Sequence, residues 1–418
     1  MKVTSQSVCS LLLLFHLFHL STAARRLKFV LLLFRHGDRS PIEAYPNDPY
    51  KEDAWPQGFE QLSQIGMQQH YDLGTYLRQR YSGFLNDSYN RHEVYVRSTD
   101  FDRTLMSAQA NLAALFPPAD KEIWKPSLKW QPIPVHTTPL SQEQLLVLPY
   151  VNCPRFNELQ QDTMASKEFK SLLEPYQDFI KNLSQETGYS VAALTGGKLW
   201  AVYDTLLCED KHNFTLPNWV TPDVRTKLQK LSEFIFLSMF GLSNQVEKSK
   251  LQGGVLVKTI LKNITDATTP SNLQKLIIYS AMKRFFQHDS TIGALQMALG
   301  VSDGNLPPYA ACHFFELHQE ENGQYSIEMF YRNDSLKEPY VLTLPGCASP
   351  CPLQKFTELV SPIIVQDWAA ECGITNKNNE GVFTGLALMV GFLGLAVIIM
   401  GSFLCYFVIQ KRRNYQNI

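Results

Sequence analysis

Apolar and polar positions divide this chain into short continuous apolar runs, longer helical periodicities and one long uncharged segment near the end. Leu27-Lys28-Phe29-Val30-Leu31-Leu32-Leu33-Phe34 is apolar at all but one position, the pattern of a strand covered on both faces in a mainly parallel sheet. Val94-Tyr95-Val96 and Leu276-Ile277-Ile278-Tyr279 are shorter runs of the same kind. Each leads into polar residues. The first is followed by Arg35-His36-Gly37-Asp38-Arg39, the second by Arg97-Ser98-Thr99-Asp100 and a helical run to Leu115, and the third by His288-Asp289 and a helix closing at Gly300. Ligands of open α/β sheets bind beyond the carboxyl ends of the strands, so these three clusters are expected to converge. From about Cys153 to Gly253, helical stretches such as Thr226 to Phe240 replace the strand signals, which predicts a helical subdomain inserted into an α/β core.

The two ends follow other rules. Met1 to Ala24 has a basic start at Lys2, the apolar run Leu11 to Phe15 and small residues before Arg25-Arg26, the form of a cleaved signal peptide. Val382 to Ile409 contains no charged residue; as a helix it reaches about 42 Å, enough to span a bilayer with tilt. Lys411-Arg412-Arg413 follow and keep that end cytosolic, which places residues 25–374 in a lumenal or extracellular space. Residues 375–381 then form a polar stalk and residues 410–418 a cytosolic tail. Within that tail Tyr415-Gln416-Asn417-Ile418 has the tyrosine-x-x-hydrophobic form read by endocytic adaptors, through Tyr415 and Ile418. The expected address is a single-pass membrane protein cycling between the plasma membrane and endosomes or lysosomes.

Composition adds limits. With 38 Lys plus Arg against 39 Asp plus Glu, no overall field favours nucleic acid, and an anionic ligand must be held by local positive charge. Cys153, Cys208, Cys312, Cys347, Cys351 and Cys372 lie between signal and span, enough for three bridges in an oxidising compartment. Spacing alone leaves their pairing open, and no C-x-x-C motif suggests a metal. Asn86, Asn182, Asn213, Asn263 and Asn333 head glycosylation sequons.

Arg35, His36 and Arg39 combine a nucleophile with two permanent cations just after a buried strand. Guanidinium forks match the oxygens of a phosphate monoester and stay charged in acid. Imidazole can attack phosphorus and divide hydrolysis into two easier steps. The extended sequence R-H-G-D-R-S-P resembles the signature loop of the histidine acid phosphatases. So do W-P-Q-G-F, V-R-S-T-D-F-D-R-T-L-M-S-A, L-F-P-P, W-Q-P-I-P-V-H-T, L-Q-G-G-V-L and L-Q-M-A-L, in the same order along the lumenal part. The resemblance implies an acid phosphatase of broad range, acting on nucleotides, phosphotyrosine and lysophosphatidate-like esters. It implies His36 as nucleophile, Arg35, Arg39, Arg103 and His288 as phosphate ligands, and Asp289 as proton donor to the leaving alcohol. Asp38 and Arg97 are expected to brace the loops. It also implies no metal or organic cofactor, a homodimer, and the bridges Cys153–Cys372, Cys208–Cys312 and Cys347–Cys351.

One departure affects the chemistry. In the family pattern the strand's Tyr-Ser-Ala runs directly into His-Asp, whereas here Met282-Lys283-Arg284-Phe285-Phe286-Gln287 intervene. A longer loop costs little closure entropy, but a small displacement of Asp289 costs rate. The alternative reading is therefore a catalytically impaired membrane glycoprotein that binds ligands or partners through the same pocket. Phytases and phosphoglycerate mutases use the same loop chemistry, and the signal, cysteines and span disfavour a cytosolic mutase.

Overall fold

The computed structural model describes residues 25–147, 153–282 and 290–374 and parts of a helix between 389 and 409. It forms two compact units, Met1–Trp368 and Ala369–Ile418. A seven-stranded sheet organises the first. It contains β1 (Arg26–Arg35), β2 (Val94–Ser98), β3 (Leu276–Ala281), β4 (Cys312–Gln319), β5 (Tyr325–Arg332), β6 (Tyr340–Leu342) and β7 (Cys351–Pro352), in the order β2-β3-β1-β4-β5-β6 with β7 on β5. β2, β3 and β1 run parallel, with Arg35 opposite Ala281 and Ser98 opposite Ser280, so their carboxyl ends are adjacent.

The remaining pairings are antiparallel. The sheet is therefore mixed, which corrects the mainly parallel expectation. Its antiparallel half begins with a hairpin whose turn carries Asn322-Gly323, with Gly323 at φ 79° and Glu320 N donating to Gln324 O at 2.8 Å. Asn-Gly between two half-apolar runs is a strong hairpin signal. Without it, strands 312–319 and 325–332 read only as a polar-apolar mixture.

α1 (Gln64–Arg80) and α2 (Asp102–Leu115) flank the parallel strands. Then follow α3 (Pro154–Ala165), α4 (Lys167–Leu173), α5 (Gln177–Thr187), α6 (Gly196–Lys211), α7 (Pro222–Phe240) and α8 (Gln245–Asp266), and after β3 comes α9 (Ser290–Leu299). β1 is buried on both sides. Val30, Leu32 and Phe34 join a core with Leu73 and Leu77 of α1 and Leu112 and Leu115 of α2. Phe29, Leu31 and Leu33 join a second core with Leu256 and Ile260 of α8 and Leu295 of α9. The helices before α8 have their own core around Leu183, Leu199, Leu206 and Leu231. α8 runs through Gly253, where the sequence suggested that the helical region ends. A Cβ at Gly253 would meet Ala294 O at 2.8 Å and one at Gly254 would meet Ile363 O at 2.2 Å, so this glycine pair admits close backbone approach and does not end the helix.

In the last turn of α6 a buried acid is expected to make stability pH-dependent. Glu209 is fully buried, neither carboxyl oxygen has a hydrogen-bond donor among the described residues, and Asp48 lies against it. Burial, then the Asp48 charge, push Glu209 up from 4.5 to about 9. The raised value means that stability is fully present below the unfolded value of 4.5 and is lost as pH climbs towards about 9. We expect Glu209→Gln to be more stable than the parent at pH 7.5 by up to about 4 kcal/mol, because the parent must take up a proton on folding at that pH and the amide need not, and no more stable at pH 4.5. Thermal unfolding at the two pH values checks this, and an equal gain at both would contradict it.

In the second unit, the helix between 389 and 409 exposes Met389, Val390, Leu393, Val397 and Ile398. Among the described residues no helix is long and apolar enough to cross a membrane. The expected span, 382–409, lies partly outside those residues. The signal region 1–24, the stalk 375–381 and the tail 410–418 with Tyr415 and Ile418 lie wholly outside them.

Candidate active site

The loop after β1 is pinned by a contact that only glycine permits. A Cβ at Gly37 would fall 2.3 Å from Gly66 O at the start of α1. Ser63 caps α1 by accepting Gly66 N–H, and its hydroxyl donates to Asp38 Oδ2 at 2.6 Å. Burial works to raise the Asp38 carboxyl, but hydrogen bonds from His212 (2.7 Å) and Ser63 outweigh it and hold Asp38 below its usual value. Asp38 is thus a brace for the loop, as expected. Arg97 is another, its Nη2 lying 2.6 Å from Glu143 Oε2.

His36 is fully buried at this turn. Its Nδ1 lies 2.7 Å from Gly37 O, and a carbonyl can only accept, so Nδ1 carries the proton and Nε2 carries the lone pair. Burial, then the charges of Arg35, Arg103 and Arg39, hold the imidazole well below its usual range. A neutral imidazole with its lone pair on Nε2 therefore persists in acid. This is the form a nucleophile requires.

Each guanidinium is positioned by a different element. Arg35 Nη1 donates to Pro307 O at 2.6 Å, and its guanidinium lies 4.1 Å from the Tyr309 ring centre. Arg39 makes a bidentate pair with Asp204 of α6, at 3.0 and 2.8 Å, with both side chains buried. Arg103, in the first turn of α2, donates from Nη1 to Glu60 Oε2 at 2.9 Å and from Nε to Met282 Sδ at 2.6 Å. Burial, then the charge of Arg39, push Arg103 down to about 10, so it still keeps its proton in acid. Arg39 Nε and Arg103 Nη2 are buried with no partner among the described residues, as groups awaiting an anion would be.

Arg35, His36, Arg39 and Arg103 are brought together. His288 and Asp289 lie outside the described residues, as do 283–287 of the insert, while Met282 is buried against Arg103. Sequence reasoning missed Tyr309, Asp204, Glu60 and His70. His70 Nε2 donates to Arg35 O at 3.0 Å, and burial pushes its imidazole down to about 4. No motif marks these residues. Asp204 and Glu60 are separated from the signature loop in sequence, and Tyr309 follows only a Pro-Pro pair.

Cys347 and Cys351 are bridged, with S–S 2.02 Å, and Cys153 and Cys372 are each disulfide-bonded. Cys208 and Cys312 carry free buried thiols, correcting the bridge that the resemblance implies. Cys208 Sγ faces Tyr309 Oη at 3.5 Å and Arg39 at 3.7 Å, whereas Cys312 packs in the β1–α1–α2 core, and burial pushes both thiols up. Of the sequons, Asn86, Asn182, Asn213 and Asn333 are exposed. Asn263 is half-buried and its Nδ2 donates to Tyr279 Oη at 2.9 Å. Among the described residues, only Glu316, His318 and Glu328 bring metal-ligating atoms within 4.8 Å of one another. His318 lies opposite Leu27 at the far end of β1 from His36, and Arg80 and Arg25 already neutralise the two carboxylates.

Residues 26–332 match the histidine phosphatase superfamily (branch 2). Over 385 residues the chain is 57% identical to prostatic acid phosphatase of Bos taurus, covering 91% of this chain and 97% of the relative. It is 50% identical over 398 residues to lysosomal acid phosphatase of Xenopus laevis, covering 94% and 90%. Among solved structures, Hafnia alvei phytase in complex with tartrate superposes with a TM-score of 0.64 at 18% identity, covering 84% of this chain and 99% of that one, a likeness of fold.

Proposed function

This chain belongs to the histidine phosphatase superfamily (branch 2) and is an acid phosphatase, and we propose that it hydrolyses phosphate monoesters through a phosphohistidine on Nε2 of His36. The observation that carries this reading is the hydrogen bond from Nδ1 to Gly37 O beneath three guanidinium groups. In the first step the Nε2 lone pair forms an N–P bond as the ester P–O bond breaks, and Asp289 gives its proton to the departing alkoxide. Water then attacks phosphorus and gives its proton to the Asp289 carboxylate as the N–P bond breaks, so that phosphate leaves and both neutral His36 and protonated Asp289 are restored. Arg35, Arg39, Arg103 and His288 hold the equatorial oxygens through both steps. Nucleotides, phosphotyrosine and lysophosphatidate-like esters fit a site that grips chiefly the phosphoryl group.

The domain at 25–374 is routed by the signal at 1–24 to a lysosomal or secreted address. Glycans at Asn86, Asn182, Asn213 and Asn333 fit the exposure of those residues; the committed amide of Asn263 argues against one there. The exposed apolar residues from Met389 to Ile398 support a membrane helix over 382–409. Tyr415 and Ile418 then face a cytosolic endocytic adaptor, which antibody uptake at the cell surface would report.

A second reading, an impaired phosphatase acting as a binding glycoprotein, is favoured by Met282, whose sulfur occupies Arg103 Nε. Turnover at pH 5 by the parent chain and by one lacking Met282–Gln287 separates the two readings. We expect the parent to turn over aryl phosphates, and the deletion to raise turnover about tenfold for alkyl phosphates and less for aryl ones, whose departure needs less protonation. Identical rates for the two proteins on both substrates would show that the insert does not affect proton donation, and no turnover by either protein would favour the binding glycoprotein.

A further inference from the structure

A lysine that the chemistry above does not use faces the same site. Lys211 ends α6, and its Nζ lies 5.3 Å from the Tyr309 ring centre, the ring that supports Arg35 at 4.1 Å and stands 5.7 Å from the His36 ring. The ammonium and the imidazole are therefore no farther apart than 5.3 and 5.7 Å laid end to end.

Lys211 is only loosely paired with Asp38. It approaches Asp38 Oδ1 only to 3.9 Å, beyond hydrogen-bond distance, while His212 and Ser63 already occupy Oδ2. Among the described residues Lys211 makes no hydrogen bond, and its side chain is 38% exposed, so its ammonium lies at the rim between solvent and Asp38. The position is held firmly. The adjoining His212 packs on Trp55 at 5.2 Å, Trp55 on Phe214 at 4.7 Å, and Phe214 stacks with Tyr50 at 4.6 Å.

We infer that Lys211 is a specificity-determining residue forming a second anion subsite, which favours phosphate esters carrying another phosphate close to the one cleaved. The inference rests on the phosphatase reading for its first subsite. The phosphorus of a bound ester poised for attack sits about 3–3.5 Å from His36 Nε2, and an adjacent phosphate reaching Lys211 extends from there to the rim. Arg35, Arg39 and Arg103 are committed to the first phosphate, so the second finds, among the described residues, the Lys211 ammonium, held only by the longer 3.9 Å contact to Asp38. A substrate with a neutral leaving group gains nothing from it.

The test measures binding and turnover with the full chain at pH 5. The probes are methylphosphonate and the non-hydrolysable methylenediphosphonate in calorimetry, with phenyl phosphate for turnover. The parent should prefer the diphosphonate, and Lys211→Met should reduce that preference about tenfold, the scale of one charge-assisted contact. Lys211→Arg should keep it, and Lys262→Met, on the exposed face of α8, controls for net charge. An unchanged ratio in Lys211→Met, or the same loss in Lys262→Met, overturns the subsite. Turnover of phenyl phosphate without a Lys211-dependent preference rejects the subsite and keeps the phosphatase. The preference without turnover does the reverse.

Discussion

The His36→Ala variant is expected to lose at least about a thousandfold in kcat and all acid-labile labelling by radioactive phosphate ester, while still folding. Both losses follow from one atom. Removing the imidazole takes away the lone pair that accepts the phosphoryl group, whereas the guanidinium groups still bind the ester, so KM should move far less than kcat. Folding should survive, because His36 is neutral in the folded protein. The pH profile of the parent gives a second check. With His36 held well below its usual range, the acid limb of kcat/KM lies below that of an ordinary imidazole, since protonation of Nε2 stops attack. Equal labelling of the Ala variant would move the nucleophile to another residue.

Asp204→Ala should have the largest effect on stability. Arg39 is fully buried and Asp204 is 3% exposed, so the truncation leaves a desolvated guanidinium facing Ala. Losing one member of such a pair costs about 3–5 kcal/mol, read as the shift in a urea unfolding curve. A loss below about 1 kcal/mol would mean that solvent reaches Arg39. Replacing both partners, in Arg39→Met with Asp204→Leu, should recover most of the stability, because well-packed apolar residues can replace a buried pair. Activity should not recover, since the phosphate loses a ligand. That contrast separates the role of Asp204 in the fold from that of Arg39 in the chemistry.

The legible part of this protein was its parallel half. Runs such as Leu31-Leu32-Leu33 describe a strand with no solvent face, and charge at the end of the first run marks the loop of Arg35, His36 and Arg39, whereas Arg103 was named only through the resemblance and the third run end lies outside the described residues. α7, anticipated from Thr226 to Phe240, begins four residues earlier because Thr221 caps it. The antiparallel half was missed because β4, though buried at its first six positions, mixes His and Glu with Phe and Leu, and β5 begins with alternating polar and apolar residues. Asp204 was illegible for another reason: only tertiary folding brings a residue in mid-α6 to Arg39. Cys208 and Cys312 show the limit of carrying a pattern across. The resemblance supplied a pair, and the fold seats one thiol beside Tyr309 and the other beneath α1.

The double burial of β1 leaves that strand without an address of its own. Where one face is wet, alternation forbids sliding; where leucine follows leucine on both faces, a slip of one residue costs the core little. What forbids the slip is polar. At one end Arg25 pairs with Glu320 and Glu328 and Arg26 meets Gln319. At the other, Gly37 alone fits against Gly66. The reactive loop is in this sense a registration mark for the sheet, and a frame error that misplaced His36 would be rejected as misfolding before it could persist as an inactive but well-packed protein.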